Sequence, residues 1–172
     1  LFMRFYLIVL VTLFSSFYSF GQFGPDIELT KSMAGAARSA ALDYDSDGDD
    51  DIFVFSNDDN KFSCFENIDG EIFSEQITLS TTDRPVSDIK VYDFDNDGLE
   101  DIIGYTSPNF VWFKNNGDGS FEQESLPTTH YGPRIMSYDI FDVNGDELGD
   151  LVVLGTLTLT LQINLGGGLF SD

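Results

Sequence analysis

Apolar residues in this chain come in short runs, and each run abuts a polar turn. IFVF (52–55), IIGY (102–105) and LVVL (151–154) are the most apolar of them. Runs of four or so, bounded by turn residues and rich in β-branched and aromatic side chains, predict buried strands. A short strand is predicted before the polar turn that precedes each: RSAAL (38–42), SDIKVY (87–92) and IMSYDIF (135–141). Another follows each: KFSCFE (61–66), FVWFK (110–114) and LTLTLQI (157–163). Gly-rich turns come next, where Asn and Gly accept the positive φ of a tight hairpin. A fourth strand is predicted beyond two of those turns, at EIFSEQITL (71–79) and SFEQESL (120–126). Past the N-terminal apolar run, no segment keeps a helical period.

The pattern repeats. Residues 43–51 read DYDSDGDDD, 93–101 read DFDNDGLED, and 142–150 read DVNGDELGD, with starts 50 and 49 residues apart. A second frame recurs at spacings of 48 and 49: Asn67 to Phe73, Asn115 to Phe121 and Asn164 to Phe170, each an Asn, a Gly-rich turn and a Phe. Two independent features on one period mark a repeat architecture. Four short strands per unit of this length match a propeller blade. The expected fold is therefore all-β: three blades, at approximately 32–80, 81–130 and 131–172, of an incomplete β-propeller.

The acidic loops carry the candidate chemistry. Numbered from its first Asp, loop 1 has Asp43, Asp45 and Asp47 at positions 1, 3 and 5, Gly48 at 6 and Asp51 at 9. Loop 2 has Asp93, Asp95, Asp97, Gly98 and Asp101 in the same places. Loop 3 has Asp142, Asn144, Asp146 and Asp150, with Glu147 in place of the glycine. Alternate residues of a curling chain converge on one side, and glycine permits the sharp turn. The position-7 carbonyls of Asp49, Leu99 and Leu148, with the position-9 carboxylates, complete a candidate shell. Hard oxygen donors select Ca²⁺ over zinc or copper. An EF-hand loop needs Glu at position 12 and flanking helices. Position 12 is Val54, Gly104 and Val153, each inside an apolar run, so that reading fails. Dockerin-like pairing fails with it, and the glycine nonapeptide of parallel β-rolls is absent.

What remains is D-x-[DN]-x-D-G-x-x-D running straight into a strand. DYDSDGDDDIFVF and DFDNDGLEDIIGY resemble the calcium loop and second strand of the FG-GAP/VCBS repeat family, the blades of integrin-α-like propellers. FKNNGDGSF resembles that family's following hairpin. The resemblance covers roughly residues 26–172. It implies a Ca²⁺ in the loop between the first two strands of each blade, and several blades around one axis. Loop 3 departs at Glu147, where a left-handed non-Gly residue costs about 1–2 kcal/mol. It also has three acids where the others have four, and is expected to bind weakest.

Composition narrows the use of such a module. Lys+Arg number 8 against 30 Asp+Glu, a net charge of −22. That argues against nucleic acid and anionic membrane surfaces, both of which select basic patches. Arg4, the apolar run Phe5 to Phe14 and the small residues Ser19 and Gly21 form a signal peptide over 1–21, cut near Gly21. The run is too short for the about 20 apolar residues of a membrane span. Secretion is expected, without membrane insertion after cleavage. Cys64 is the one cysteine, so no disulfide framework exists, and it is expected to pack within a strand.

Leu1 and Phe2 precede Met3, and the chain stops at GGGLFSD, as an open-ended translation of a partial gene would. Since propellers need about four or more blades, further blades are expected downstream. DIELTK (26–31) alternates and is the candidate outer strand that latches onto the last of them. The expected function is a non-catalytic, extracellular calcium-binding propeller for adhesion or for binding a glycan or protein. Two alternatives stand beside it. One is the propeller scaffold of a secreted polysaccharide- or phosphoester-acting enzyme with its catalytic residues elsewhere. The other is a spacer in a long surface protein. No catalytic residue is assigned: His130, the one histidine, has no nucleophile or paired acid to work with. Asp69, Asp83, Asp88 and Asp118 read as turn and surface residues, and Trp112 as blade core.

Overall fold

The computed structural model describes residues 26–30, 33, 35–126 and 135–171. The expected signal peptide and His130 lie outside the described residues. Among those described there is no helix. Among the described residues, eleven strands form three antiparallel sheets. Blade 1 runs β1 (Ala36–Leu42), β2 (Asp51–Ser56), β3 (Lys61–Phe65), β4 (Ile77–Thr81). Blade 2 runs β5 (Asp88–Tyr92), β6 (Asp101–Tyr105), β7 (Phe110–Asn115), β8 (Phe121–Leu126). Blade 3 runs β9 (Ile135–Phe141), β10 (Asp150–Gly155), β11 (Leu159–Gln162). Each sheet is a meander in chain order, with β1 packed beside β5 and β5 beside β9.

The blades stack face to face, which explains why their middle strands are apolar on both sides. In β6, Ile102 joins the core shared with blade 1, while its neighbour Ile103 joins the core shared with blade 3. The first core gathers Phe53, Phe55, Phe62 and Cys64 of blade 1 against Val111 and Phe113 of blade 2. The second gathers Phe94, Phe110, Trp112 and Leu126 against Tyr138, Ile140, Leu151 and Val153 of blade 3. Full burial of each such side chain contributes about 1.5–3 kcal/mol. Tyr138 keeps its hydroxyl satisfied there by donating to the carbonyl of Ile103 at 2.7 Å. Gly104 leaves room for neighbours within blade 2, since a Cβ would lie 3.1 Å from Val111 and 3.2 Å from Val86. Cys64 is buried on β3 and Trp112 in the second core, as expected.

The outer strands differ from the sequence expectation. In blade 2 the hairpin pairs without interruption from Asn115↔Phe121 to Phe110↔Leu126. In blade 1 the fourth strand was expected at 71–79 but begins at Ile77. Only an isolated bridge joins Asn67 to Phe73. Asp69 caps that turn by accepting from the Ile72 N–H at 2.9 Å, and the chain rejoins β3 through a register shift at Phe62/Ser63. Blade 3 shows the equivalent bridge, Asn164↔Phe170, and no fourth strand among the described residues. Residues 26–30 of the expected latch form no strand.

Candidate metal loops and the joints between blades

Each acidic loop links the first two strands of its blade, and its backbone is tied by its own carboxylates. Asp43 accepts from the Asp47 N–H at 3.2 Å and the Gly48 N–H at 3.0 Å. Asp93 accepts from Asp97 at 3.1 Å and Gly98 at 3.0 Å. The position-5 acids take the position-7 N–H, Asp49 to Asp47 and Leu99 to Asp97, both at 3.0 Å. These bonds curl the chain so that acids separated in sequence converge. Asp43, Asp45 and Asp51 offer oxygens within 4.8 Å of one another, as do Asp93, Asp95 and Asp97. At position 3 one oxygen in each loop, Asp45 Oδ1 and Asp95 Oδ1, is buried with no hydrogen-bond partner. A buried carboxylate oxygen without a donor is costly. A hard cation is what such an atom lacks, so the residues present fit the expected ion.

Loop 3 closes on itself instead. Asn144 accepts from the Asp146 N–H at 2.9 Å and donates its amide to Asp146 Oδ2 at 2.8 Å. Asp146 in turn accepts the Leu148 N–H at 3.0 Å. Among the described residues, no three acids converge here as they do in the first two loops. Glu147 does take the left-handed conformation expected at position 6, with φ 71°. Backbone strain nevertheless does not single out loop 3. Position 4 is also left-handed, at Ser46 (φ 64°), Asn96 (φ 58°) and Gly145 (φ 83°). Loop 3 has moved its glycine from position 6 to position 4, so every loop carries one left-handed non-Gly residue among these two positions. Charge and the Asn144 amide, more than the glycine count, set loop 3 apart.

The position-9 acids are clamps as well as candidate ligands. Asp51, Asp101 and Asp150 are almost wholly buried. Asp101 accepts from Phe94 N–H at 3.2 Å and from Asn115 N–H at 2.8 Å. Asp51 does the same with Tyr44 at 3.2 Å and Asn67 at 2.7 Å, and Asp150 with Val143 at 2.9 Å and Asn164 at 2.8 Å. Each therefore fastens its loop to the hairpin of its own blade. Burial, partly offset by those N–H groups, raises the Asp51 carboxyl above the ordinary range and pushes Asp101 up to about 6. For Asp142 burial is the largest single influence and pushes up, but the N–H groups of Glu147, Gly145 and Asp146 together outweigh it and hold the carboxyl low.

The hairpin asparagine was legible as a repeat, but not its task. Asn115 Nδ2 donates to the Glu100 carbonyl of its own loop at 3.2 Å and to the Asp43 carbonyl of the preceding loop at 3.3 Å. Asn164 repeats this with Gly149 at 3.2 Å and Phe94 at 3.1 Å. The position-2 side chains of loops 1 and 2 plug into the same joint. Tyr44 stacks on Phe121 of the next blade (centroids 6.3 Å, interplanar 4°), and Phe94 meets Phe170 at 6.1 Å. Constant spacing between the acidic loop and the Asn–Phe frame was the available signal. The remaining expected residues sit as turn and surface groups: Asp118 accepts from the Ser120 hydroxyl at 2.6 Å, and Asp88 starts β5.

Lys114 was also missed. Its ammonium is ion-paired with Asp95 and, at 3.0 Å, with Asp97. Burial alone would lower its pKa, but hydrogen bonds to both acids outweigh that and raise it.

Stacked four-stranded meanders with an acidic loop between the first two strands define a β-propeller repeat. The sequence profile of the FG-GAP-like repeat matches residues 43–104 and 93–153, and the chain belongs to that family. No curated protein matches it in sequence. Among solved structures it is similar to an Agrocybe aegerita lectin that specifically recognises non-reducing terminal N-acetylglucosamine, at 22% identity and a TM-score of 0.61. That alignment covers 76% of this chain and 36% of the lectin, so the chain spans about a third of its neighbour. It is also similar to a Photorhabdus luminescens Tc holotoxin pore, at 20% identity and a TM-score of 0.52, over 76% of this chain and 6% of that one. At these identities the likeness is one of fold.

Proposed function

We propose that this chain is a secreted, non-catalytic propeller module whose acidic loops bind Ca²⁺, and that it serves adhesion or the recognition of an extracellular glycan or protein. The observation that carries the calcium reading is the convergence of acids in loops 1 and 2 around a buried, unpartnered oxygen, Asp45 Oδ1 in one and Asp95 Oδ1 in the other. Asp43, Asp45, Asp47 and Asp51 would hold the first ion, with the Asp49 carbonyl. Asp93, Asp95, Asp97 and Asp101 would hold the second, with that of Leu99. Asp142, Asn144, Asp146 and Asp150, with Leu148, form the weakest site, because Asn144 contributes no charge and is already engaged. The ion neutralises carboxylates that otherwise repel one another at the start of a buried strand. Its role is to fix where that strand begins, and so to present blade surfaces rigidly to a partner.

Thermal unfolding in millimolar calcium and in excess chelator tests the reading. A higher midpoint with calcium is expected. Coincident melts of a folded β protein would refute it. Glycan-array and cell-adhesion assays of the calcium-loaded chain then test the partner class.

A further inference from the structure

We propose that Lys114 is a tethered cation that occupies loop 2 when no metal is bound and competes with the incoming ion, so that loops built alike respond to different calcium concentrations. The proposal rests on the calcium reading above. Lys114 lies near the end of β7, one residue before the asparagine that anchors Asp101. Its side chain is only 26% exposed, and its Nζ sits between the position-3 and position-5 carboxylates, Asp95 and Asp97. These are two of the three acids that converge in loop 2. The same Nζ lies 5.4 Å from the centroid of the Trp112 ring. Among the described residues, no other ion pair reaches an acid of the three loops.

The repeat makes this a property of loop 2 alone. Counting back from the hairpin asparagine, the residue in the place of Lys114 is Glu66 in blade 1 and Ile163 in blade 3. One is an added negative charge and the other is neutral. Two positive charges a few ångströms apart repel, so a divalent ion and the ammonium do not share the loop without cost. The flexible four-carbon stem of a lysine lets the head swing out when the ion enters. A ligand that binds only the vacated form is weakened by the fraction of molecules in that form. A loop vacated in about a tenth of molecules binds about tenfold more weakly. Asp95 Oδ1 stays unpartnered even with the lysine in place, so the loop retains its demand for a cation. Loop 1, with Glu66 at that place in the repeat and no ion pair to its acids among the described residues, fills first.

Trp112 is the chain's one tryptophan, so it offers a site-specific reading. Terbium, a lanthanide stand-in for calcium, is titrated into the whole chain with excitation at the red edge of tryptophan absorption. Sensitised emission then reports loop 2. Lys114→Gln is expected to tighten terbium and competing calcium at this loop by about tenfold. Unchanged loop 2 affinity in a folded Lys114→Gln chain overturns the proposal and leaves the calcium reading standing. No terbium or calcium binding by either protein, in emission or in calorimetry, overturns the calcium reading itself. The converse variant, Glu66→Lys, leaves loop 2 intact and places an ammonium beside loop 1. Calorimetry should show its tightest calcium step weakened by a similar factor, and an unaltered step would count against the tethered-cation mechanism.

Discussion

Tyr44, Phe94 and Val143 occupy the same position of the repeat, yet their surroundings are opposite. Tyr44 and Phe94 are buried, 5% and 0% exposed, each against the hairpin of the following blade. Val143 is 43% exposed, with no following blade among the described residues. The same asymmetry marks the hairpin. Asn115 and Asn164 each reach back to a carbonyl of the preceding loop, whereas Asn67 bonds only Asp50 within its own blade through its amide. A joint in this fold is thus built from two blades, and a blade supplies half of each joint. The loop provides a plug and a carbonyl, and the next hairpin provides a ring and an amide. Leu154, Leu159 and Leu161 on blade 3 are exposed on the same account.

The largest expected effect on this contrast is Phe94→Ala, which leaves a cavity between Trp112 and Phe170 and should cost about 3–5 kcal/mol in denaturant unfolding. Val143→Ala at the open end should stay within about 0.5 kcal/mol. Equal costs would break the comparison. Asp101→Ala comes next. It strands the N–H groups of Phe94 and Asn115, at about 1–3 kcal/mol for each unsatisfied group, and should also abolish calcium stabilisation at loop 2. Chelation of calcium ranks third. With a Kd near ~0.1 mM and calcium near ~2 mM, each filled site contributes roughly 1.8 kcal/mol, measurable as the fall in melting midpoint. Loop 3 should be the last to fill in a site-resolved titration.

Smaller still is the paired change Asn115→Ala and Asn67→Ala. The first breaks a bond between blades and the second does not, so their difference should be about 0.5–1.5 kcal/mol. Matching losses would show that the reach to Asp43 contributes nothing. A dependence on pH is also expected, in chelator. The folded value of Asp101, about 6, lies above its ordinary unfolded one, so the folded chain holds an extra proton between the two. The stability this supplies is present in the acid range and is lost as pH rises through about 6. Calcium should reverse the slope, because it favours the ionised carboxyl.

Much of this was legible in advance. IFVF, IIGY and LVVL are strands because apolar runs bounded by Asp and Gly have few other outcomes. The curled loops followed from alternate acids and a turn residue. The missing glycine of loop 3 was visible too, but not its reappearance at position 4, because a left-handed requirement there shows only in φ. The late start of β4 was hidden because Asp69 captures the Ile72 N–H, a local bond that competes with strand pairing. Lys114 read as an ordinary strand residue, since nothing near it in sequence says where a flexible ammonium comes to rest.

By itself, then, the sequence determined the repeat, the all-β meander, the family and the candidate ligands, because these depend on short-range pattern and on a period that every copy restates. Only the tertiary structure decided which acids are clamps, which cation sits in loop 2, and which of three equivalent side chains is buried. Those outcomes depend on contacts such as Asn115 with Asp43, 72 residues apart, and on whether a neighbouring blade is there to receive them.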